Sequence, residues 1–187
     1  MIDARINGIV ILVALEEEFP SSTLKNYHIE YTGVGKINAT FKTLEIINEF
    51  SPKLIINYGT AGSLNSDLSG LCEVSEFLQR DMDASSLGFQ YGETPFDEIF
   101  SITFGRSGFT CGSGDNFMTA SPKLQTDLVD MEAYAIAKVC LLKKVNLLCF
   151  KYIYISARAD KDAAKNWKKN VQVGKIEFKN QIESLSL

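Results

Sequence analysis

The sequence predicts an α/β sandwich, and three observations predict it. Short, almost unbroken apolar runs rich in β-branched residues, at Ile6–Leu15, Lys53–Tyr58 and Leu147–Ser156, have the pattern of strands covered on both faces. Between them, Ile37–Phe50 and Leu128–Cys140 repeat apolar residues at three- and four-residue spacing, the period of helices with a buried face. Glycines and other small residues punctuate the ends of the strands, at Gly33–Gly35, Gly59–Ser63 and Gly112–Gly114. Strands alternating with helices pack as a sheet between helical layers.

Size and charge bound the rest. A chain of 187 residues with 45% hydrophobic content can fill one core, and a single domain spanning 1–187 is expected. The net charge of −4 and the scatter of 19 Lys and Arg lack the clustered basic face that nucleic acid requires. The lysines between Lys161 and Lys179 are interleaved with acids, the mark of a solvated helix face. Cys72, Cys111, Cys140 and Cys149 form no close Cys-x-x-Cys pair and His28 is the only histidine, so no zinc site of the usual spacing and no metal is expected. Reduced cysteines, no signal-peptide pattern after Met1 and no apolar run of about 18 residues lead to the expectation of a cytoplasmic protein that does not enter a membrane.

Taken in order, the first strand, Ile6–Leu15, ends in Glu16-Glu17-Glu18, where one acid can point into a ligand crevice beyond the strand's carboxyl end. Ile29–Val34 leads through Gly33-Val34-Gly35-Lys36 into the helix Ile37–Phe50, whose buried face is expected to carry Ile37, Phe41, Leu44 and Ile47. That turn lacks both the P-loop and the dinucleotide fingerprint, and is weak evidence for a phosphate site. After Lys53–Tyr58, the small residues Gly59–Ser63 suit a turn or a close ligand approach. Cys72–Asp83 reads as one or two strands. It runs into a long polar and aromatic loop, Asp83–Pro95, of the length usually found at functional sites or interfaces. Ser101–Phe104 and Phe109–Cys111 are short strands, the second followed by Gly112-Ser113-Gly114-Asp115-Asn116-Phe117-Met118. Asp162–Leu185 reads as a closing helix that packs Trp167, Val171, Ile176 or Phe178, and Ile182.

The stretch Leu128–Cys140 reads as one helix with Val129, Ala133, Ile136, Ala137, Cys140 and Leu141 on its packed face. Asp130 then lies in a first turn, where it favours the positive end of the helix dipole. Glu132, between Met131 and Ala133 on a small-residue face, needs polar partners that a ligand can supply. The candidate polar features, Glu18, Thr60, Asp115–Phe117, Glu132 and Ser156–Asp160, all fall at a strand's carboxyl end or a helix start.

In these stretches the chain resembles the methylthioadenosine/S-adenosylhomocysteine nucleosidases of the purine nucleoside phosphorylase superfamily. The matching motifs are Ala14–Glu18, Gly33–Lys36, Ile55–Gly62, Gly112–Phe117 and Asp130–Ala133, in the family's order along nearly the whole chain. The chain departs from the family in lacking a β-hairpin after Glu18 and a helix between Pro95 and Ser101. The resemblance implies a three-layer sandwich with a central twisted mixed sheet flanked by helices. It also implies hydrolysis of the N-glycosidic bond of an adenine nucleoside, without a cofactor. By position, Glu18 would activate the water, Thr60 would sit near that water, and Glu132 would grip the ribose hydroxyls. Phe117 would stack on the adenine, Met118 would bond it through its backbone, Met131 would pack under the ribose, and Ser156 would position the next residue. A homodimer is implied too, with Met82–Phe96 closing the partner's 5′ pocket.

The residue after Ser156 is where the sequence departs from the pattern: the family has an aspartate that serves the purine N7, and here the residue is Ala157. Asp160 matches a different family aspartate. Losing a general acid costs about 10²- to 10⁴-fold in rate, so impaired turnover with retained binding is expected, whether the alanine was introduced or is natural. Two other readings remain. A phosphorylase would need an arginine-rich anion site where this first strand delivers glutamates, and a nucleoside-binding module without turnover is compatible with Ala157. A serine hydrolase is excluded by the lone His28 and the absence of a nucleophile elbow.

Overall fold

The computed structural model describes residues 8–65, 67–105, 107–118, 122–156 and 163–185, with side chains 154–156 and 163–170 outside that description. Its elements in chain order are β1 (Ile9–Val13), β2 (His28–Tyr31), α1 (Lys36–Phe50), β3 (Leu54–Ser63), β4 (Gly70–Gln79), β5 (Ser101–Thr103), β6 (Phe109–Ser113), β7 (Leu128–Asp130), α2 (Ala133–Lys143), β8 (Asn146–Ser156) and α3 (Ala163–Ser184). The strands form one mixed sheet, β2-β1-β3-β7-β6-β4-β5, and β8 pairs with both β3 and β4. Parallel pairing of β1 with β2 and β3, and of β3 with β8, sits beside antiparallel β3–β7, β4–β8 and β4–β5. The path β3-β8-β4-β6-β7 returns to β3, so part of the sheet closes on itself.

Two apolar clusters flank the sheet, as the three-layer expectation requires. One joins Val10, Leu12, Ile55 and Phe77 of the sheet to Ala39, Ile46, Ala133, Ile136 and Cys140 of α1 and α2. The other joins Ile11, Val13, Ile56, Tyr58 and Phe150 to Phe178 and Ile182 of α3. Alternation along β1 explains the division: consecutive side chains point to opposite faces, and both faces are covered. Tyr58 stacks on Phe178 with centroids 4.2 Å apart, and Gly174 of α3 lies so close that a Cβ there would meet the Tyr58 hydroxyl at 2.6 Å. On α3 the inward residue is therefore Phe178, with Ile176 63% exposed. The Trp167 side chain lies outside the described residues.

Three expectations are corrected. Leu128–Asp130 is not the first turn of a helix but a strand, held by Cys111↔Leu128 to Ser113↔Asp130 on β6 and by Ser63↔Leu128 on β3. Three apolar residues ahead of a helix can extend its period by coincidence, and sheet pairing decides. Gly59–Ser63 is not a turn: it continues β3, with a register shift to β8 at Ala61/Gly62. On α1 the buried residues are Ala39, Thr43, Ile46 and Ile47, whereas Ile37 is 81% and Phe41 68% exposed. Small Ala39 and Thr43 permit close helix packing, which turns the larger Ile37 and Phe41 outward. Among the described residues no helix is long and apolar enough to cross a membrane, and no group of side chains is placed to hold a metal ion.

Candidate active site

The site gathers at the carboxyl ends of β1, β3, β6 and β7 and the starts of α1 and α2. Glu16 and Glu17 are exposed, while a turn closed by Glu18 N–H to Leu15 O at 3.0 Å carries Glu18 inward. Its Oε1 accepts the Thr60 backbone N–H at 3.0 Å and the Thr60 hydroxyl at 2.7 Å. Its Oε2 is buried and accepts no hydrogen bond from the described residues. A buried carboxylate oxygen without a donor is costly, and a bound water or hydroxyl in the pocket would relieve that cost.

Glu132 stands at the N-cap of α2, buried, and its Oε1 accepts the Gly35 N–H at 2.8 Å. Gly35 has φ +93°, and a Cβ there would meet Asp115 Oδ1 at 3.1 Å, so the position calls for glycine on both counts. Next to it the Lys36 N–H donates to Asp115 Oδ1 at 2.7 Å. The positive start of α1 is thus met by the protein's own carboxylates rather than left open for phosphate. Burial, and then the neighbouring charge of Asp130, push the Glu132 carboxyl up to about 7.

Asp130 is not a solvent-facing dipole partner. Burial opposes its charge, but Lys151 Nζ at 2.8 Å, the Ser113 hydroxyl and the Ala133 N–H at 2.9 Å hold its carboxyl below the usual range. The Ala133 bond does cap the first turn of α2, so part of the dipole reading survives. Sequence reasoning missed Lys151. The available signal was a lysine inside the apolar strand Leu147–Ser156, which demands a counter-charge.

The rim is built differently. Arg80, buried at the end of β4, donates to the carbonyls of Gly112, Gly114 and Asn116 and to Asn116 Oδ1 at 2.6–3.2 Å. This planar fork shapes the turn that follows β6, and a Cβ on Gly114 would lie 2.9 Å from the guanidinium. Asp81 accepts from Lys36 Nζ and from the Asp115 N–H at 2.8 Å, tying this turn to the start of α1. Arg80 and Asp81 were also missed as site residues: both lie in the stretch Cys72–Asp83 that was read only as strand, and neither was given a role. Phe117 emerges from the turn 60% exposed. Met118 and Met131 are half-buried. Ser156 closes β8, its backbone paired with Ser63, but its side chain, Ala157 and Asp160 lie outside the described residues. The structure therefore brings together Glu18, Thr60 and Glu132, with Phe117 on an adjoining turn.

The sequence profile described as the Phosphorylase superfamily matches residues 16–107. The chain is 29% identical over 167 residues to a 5′-methylthioadenosine/S-adenosylhomocysteine nucleosidase from Staphylococcus epidermidis, covering 75% of this chain and 70% of that protein. It is 31% identical over 151 residues to the nucleosidase of the same name from Staphylococcus aureus, covering 66% of each. The chain thus spans about two thirds of the length of these curated relatives. A solved structure of the Helicobacter pylori nucleosidase with 5′-methylthioadenosine in its active site superposes with a TM-score of 0.80 at 22% identity, over 95% of this chain and 98% of that one. That likeness establishes the fold.

Fold, site and profile define a protein of the phosphorylase superfamily. Within it, the curated relatives that the chain resembles are 5′-methylthioadenosine/S-adenosylhomocysteine nucleosidases.

Proposed function

We propose that this pocket binds an adenine nucleoside and is built to hydrolyse its N-glycosidic bond. The observation that carries the reading is Glu18: one oxygen fixed by two donors from Thr60, the other buried with no donor among the described residues and so with a lone pair to spare for a substrate water. In this reaction the C1′–N9 bond breaks with its electron pair leaving on adenine, and water forms the new bond to C1′. Glu18 takes the water's proton, and its negative charge also favours the oxocarbenium-like sugar. Glu132 accepts hydrogen bonds from the ribose hydroxyls, and Met131 packs under the sugar. Phe117 stacks on the base, Met118 offers it a backbone group, and Ser156 orients the residue that follows it. Adenine still needs a proton at a ring nitrogen. With alanine at 157 that proton comes from solvent, so turnover is slow while binding persists.

The test is adenine release from 5′-methylthioadenosine by the protein and by Ala157→Asp. The expected gain is about 10²- to 10⁴-fold, abolished again by Glu18→Gln in the same background. No gain on Ala157→Asp would leave the nucleoside-binding module, which the alanine itself favours, as the better reading. Phosphate-dependent release of ribose 1-phosphate would instead make it a phosphorylase. We further infer a cytoplasmic homodimer, supported by the outward Ile37 and Phe41 on α1 and by Phe96, 94% exposed beside Phe89.

A further inference from the structure

Beneath the two site carboxylates lies a third, and one lysine faces all of them. A methyl group placed on Gly59 would meet Lys151 Nζ at 3.4 Å and both Glu18 carboxylate oxygens at 3.9 Å, which puts the ammonium against the strand segment that also holds Glu18. The same ammonium is 2.8 Å from Asp130, both side chains being 1% exposed. From Asp130 the connections run to Glu132. The Asp130 carboxylate takes the Ala133 N–H and the Ser113 hydroxyl, and Ser113 Oγ in turn takes the Tyr134 N–H at 2.8 Å. The Asp130 carbonyl takes the Gly114 N–H at 3.2 Å and an Arg80 N–H at 3.4 Å. The backbone on both sides of Glu132 is therefore fixed by one residue whose charge is balanced by Lys151.

We propose that Lys151 and Asp130 are positioning residues: Lys151 supplies the buried positive charge that lets Glu18, Asp130 and Glu132 share one pocket, and Asp130 fixes the start of α2 from which Glu132 projects. This deepens the nucleoside reading of the site, because a ribose clamp must be both held and ionised to accept hydroxyl protons. A buried ion pair is a poor stabiliser by itself, since the desolvation of both ions offsets much of their attraction. Its use here is local, as a fixed counter-charge. The groups facing the pair are Glu18 from the turn after β1, Tyr58 from β3, Arg80 from β4, Cys111 from β6, Glu132 at the start of α2 and Cys149 on β8. Tyr58 and the two thiols are pushed up by burial and stay neutral. The balance among the facing groups on this floor thus lies between Lys151 and the carboxylates, with Arg80 on the Asp130 carbonyl side.

The experiment needs no ligand. Carboxyl-¹³C NMR of the full chain, with the Glu132 signal assigned by its loss in Glu132→Gln, reads the Glu132 titration midpoint directly. Lys151→Met should raise that midpoint by about one pH unit or more, since an opposite charge at close range is worth about that much. Lys151→Arg should leave it near the wild-type value. A merely structural role predicts the reverse, because loosening the start of α2 wets Glu132 and lowers its midpoint. A folded Lys151→Met protein with an unmoved or lowered midpoint overturns the proposal.

If Lys151→Met does not fold, Asp130→Asn decides, since its amide oxygen can keep the Ala133 N–H and face Lys151 while its NH2 donates to Ser113 Oγ in place of the hydroxyl's own bond. The midpoint should fall while the Gly35 amide proton keeps its hydrogen-bonded shift; loss of that shift overturns the proposal. Calorimetry with 5′-methylthioadenosine separates the two claims. Absence of binding by the wild-type protein sinks the nucleoside reading, while the carboxyl titration still decides the role of Lys151.

Discussion

The floor of the site and its rim are built on opposite principles. At the floor, Glu18, Asp130, Glu132 and Lys151 are buried, and each carboxylate has a donor supplied by the chain itself. At the rim, Phe117 stands 60% exposed on a turn whose backbone is gripped from below by Arg80, and Ile37 and Phe41 face outward on the adjoining helix. The chain alone orders the charged groups on which the proposed chemistry depends. The apolar groups that would enclose a base are presented but not covered. Charges need fixed partners before a ligand arrives, because reorganising them during the reaction is what costs rate. Apolar surfaces need none, because they gain from whatever covers them.

The largest effect that tests this contrast is at the outermost point of the rim. If a second copy covers the α1 face, Phe41→Asp places a charge in an apolar interface and should weaken the dimer by about 100-fold or more, as a strong interface residue does. Sedimentation velocity across a micromolar concentration series measures it. A wild-type protein that sediments as a monomer throughout would show that the rim is not an interface between copies.

The floor gives the next largest effect, and its sign follows from Glu132. The Glu132 carboxyl, raised by burial and by Asp130 from the ordinary 4.5 to about 7, binds its proton more tightly in the folded chain than in the unfolded one. Its stabilising contribution is therefore present below the ordinary value and is lost as pH rises through about 7. Glu132→Gln removes that loss and should stabilise the ligand-free protein at pH 8 by roughly 1–3 kcal/mol, with little gain at pH 4. The same variant should bind 5′-methylthioadenosine about 10- to 100-fold more weakly, since hydrogen bonds to a charged group are worth about 1.5–3 kcal/mol. Denaturant titrations at the two pH values and calorimetry check both halves. A variant with unchanged affinity would remove Glu132 from the site.

How much of this was legible in the sequence follows the same division. The runs of the sheet, α1, α3 and the turns at Gly33–Gly35 and Gly112–Gly114 could be read because apolar period and glycine chemistry are local. Glu132 was singled out by its place on a small-residue face and Glu18 by its place at a strand end, but their roles came from the resemblance, since an acid after a strand looks alike whether it turns in or out. Glu16 and Glu17 turn out, and only the turn closed on Leu15 separates them from Glu18. Strand β7 was hidden because three residues carry no period of their own and their partners lie on β3 and β6. The buried face of α1 was misread because ranking residues by size favoured Ile37 and Phe41, whereas close packing selected Ala39 and Thr43. The partners Lys151–Asp130 and Arg80–Asn116 are 21 and 36 residues apart by number, and nothing local joins them.

The smallest effect is at Phe117. Stacking of a base on an aromatic ring is worth about 1–3 kcal/mol, and an exposed ring gives the lower end because its free face is already wet. Phe117→Ala should therefore weaken 5′-methylthioadenosine binding about tenfold and leave stability unchanged, since the ring is not part of either core cluster. Phe117→Tyr, which keeps the ring, should bind as the wild type does. Affinity from calorimetry with unfolding midpoints beside it separates the outcomes. If Phe117→Ala costs more affinity than Glu132→Gln, the ordering inverts: the base would then be the anchored end of the nucleoside and the ribose the end left to adjust. A loss of stability would mean instead that the ring supports the turn held by Arg80, which would make the rim as preassembled as the floor.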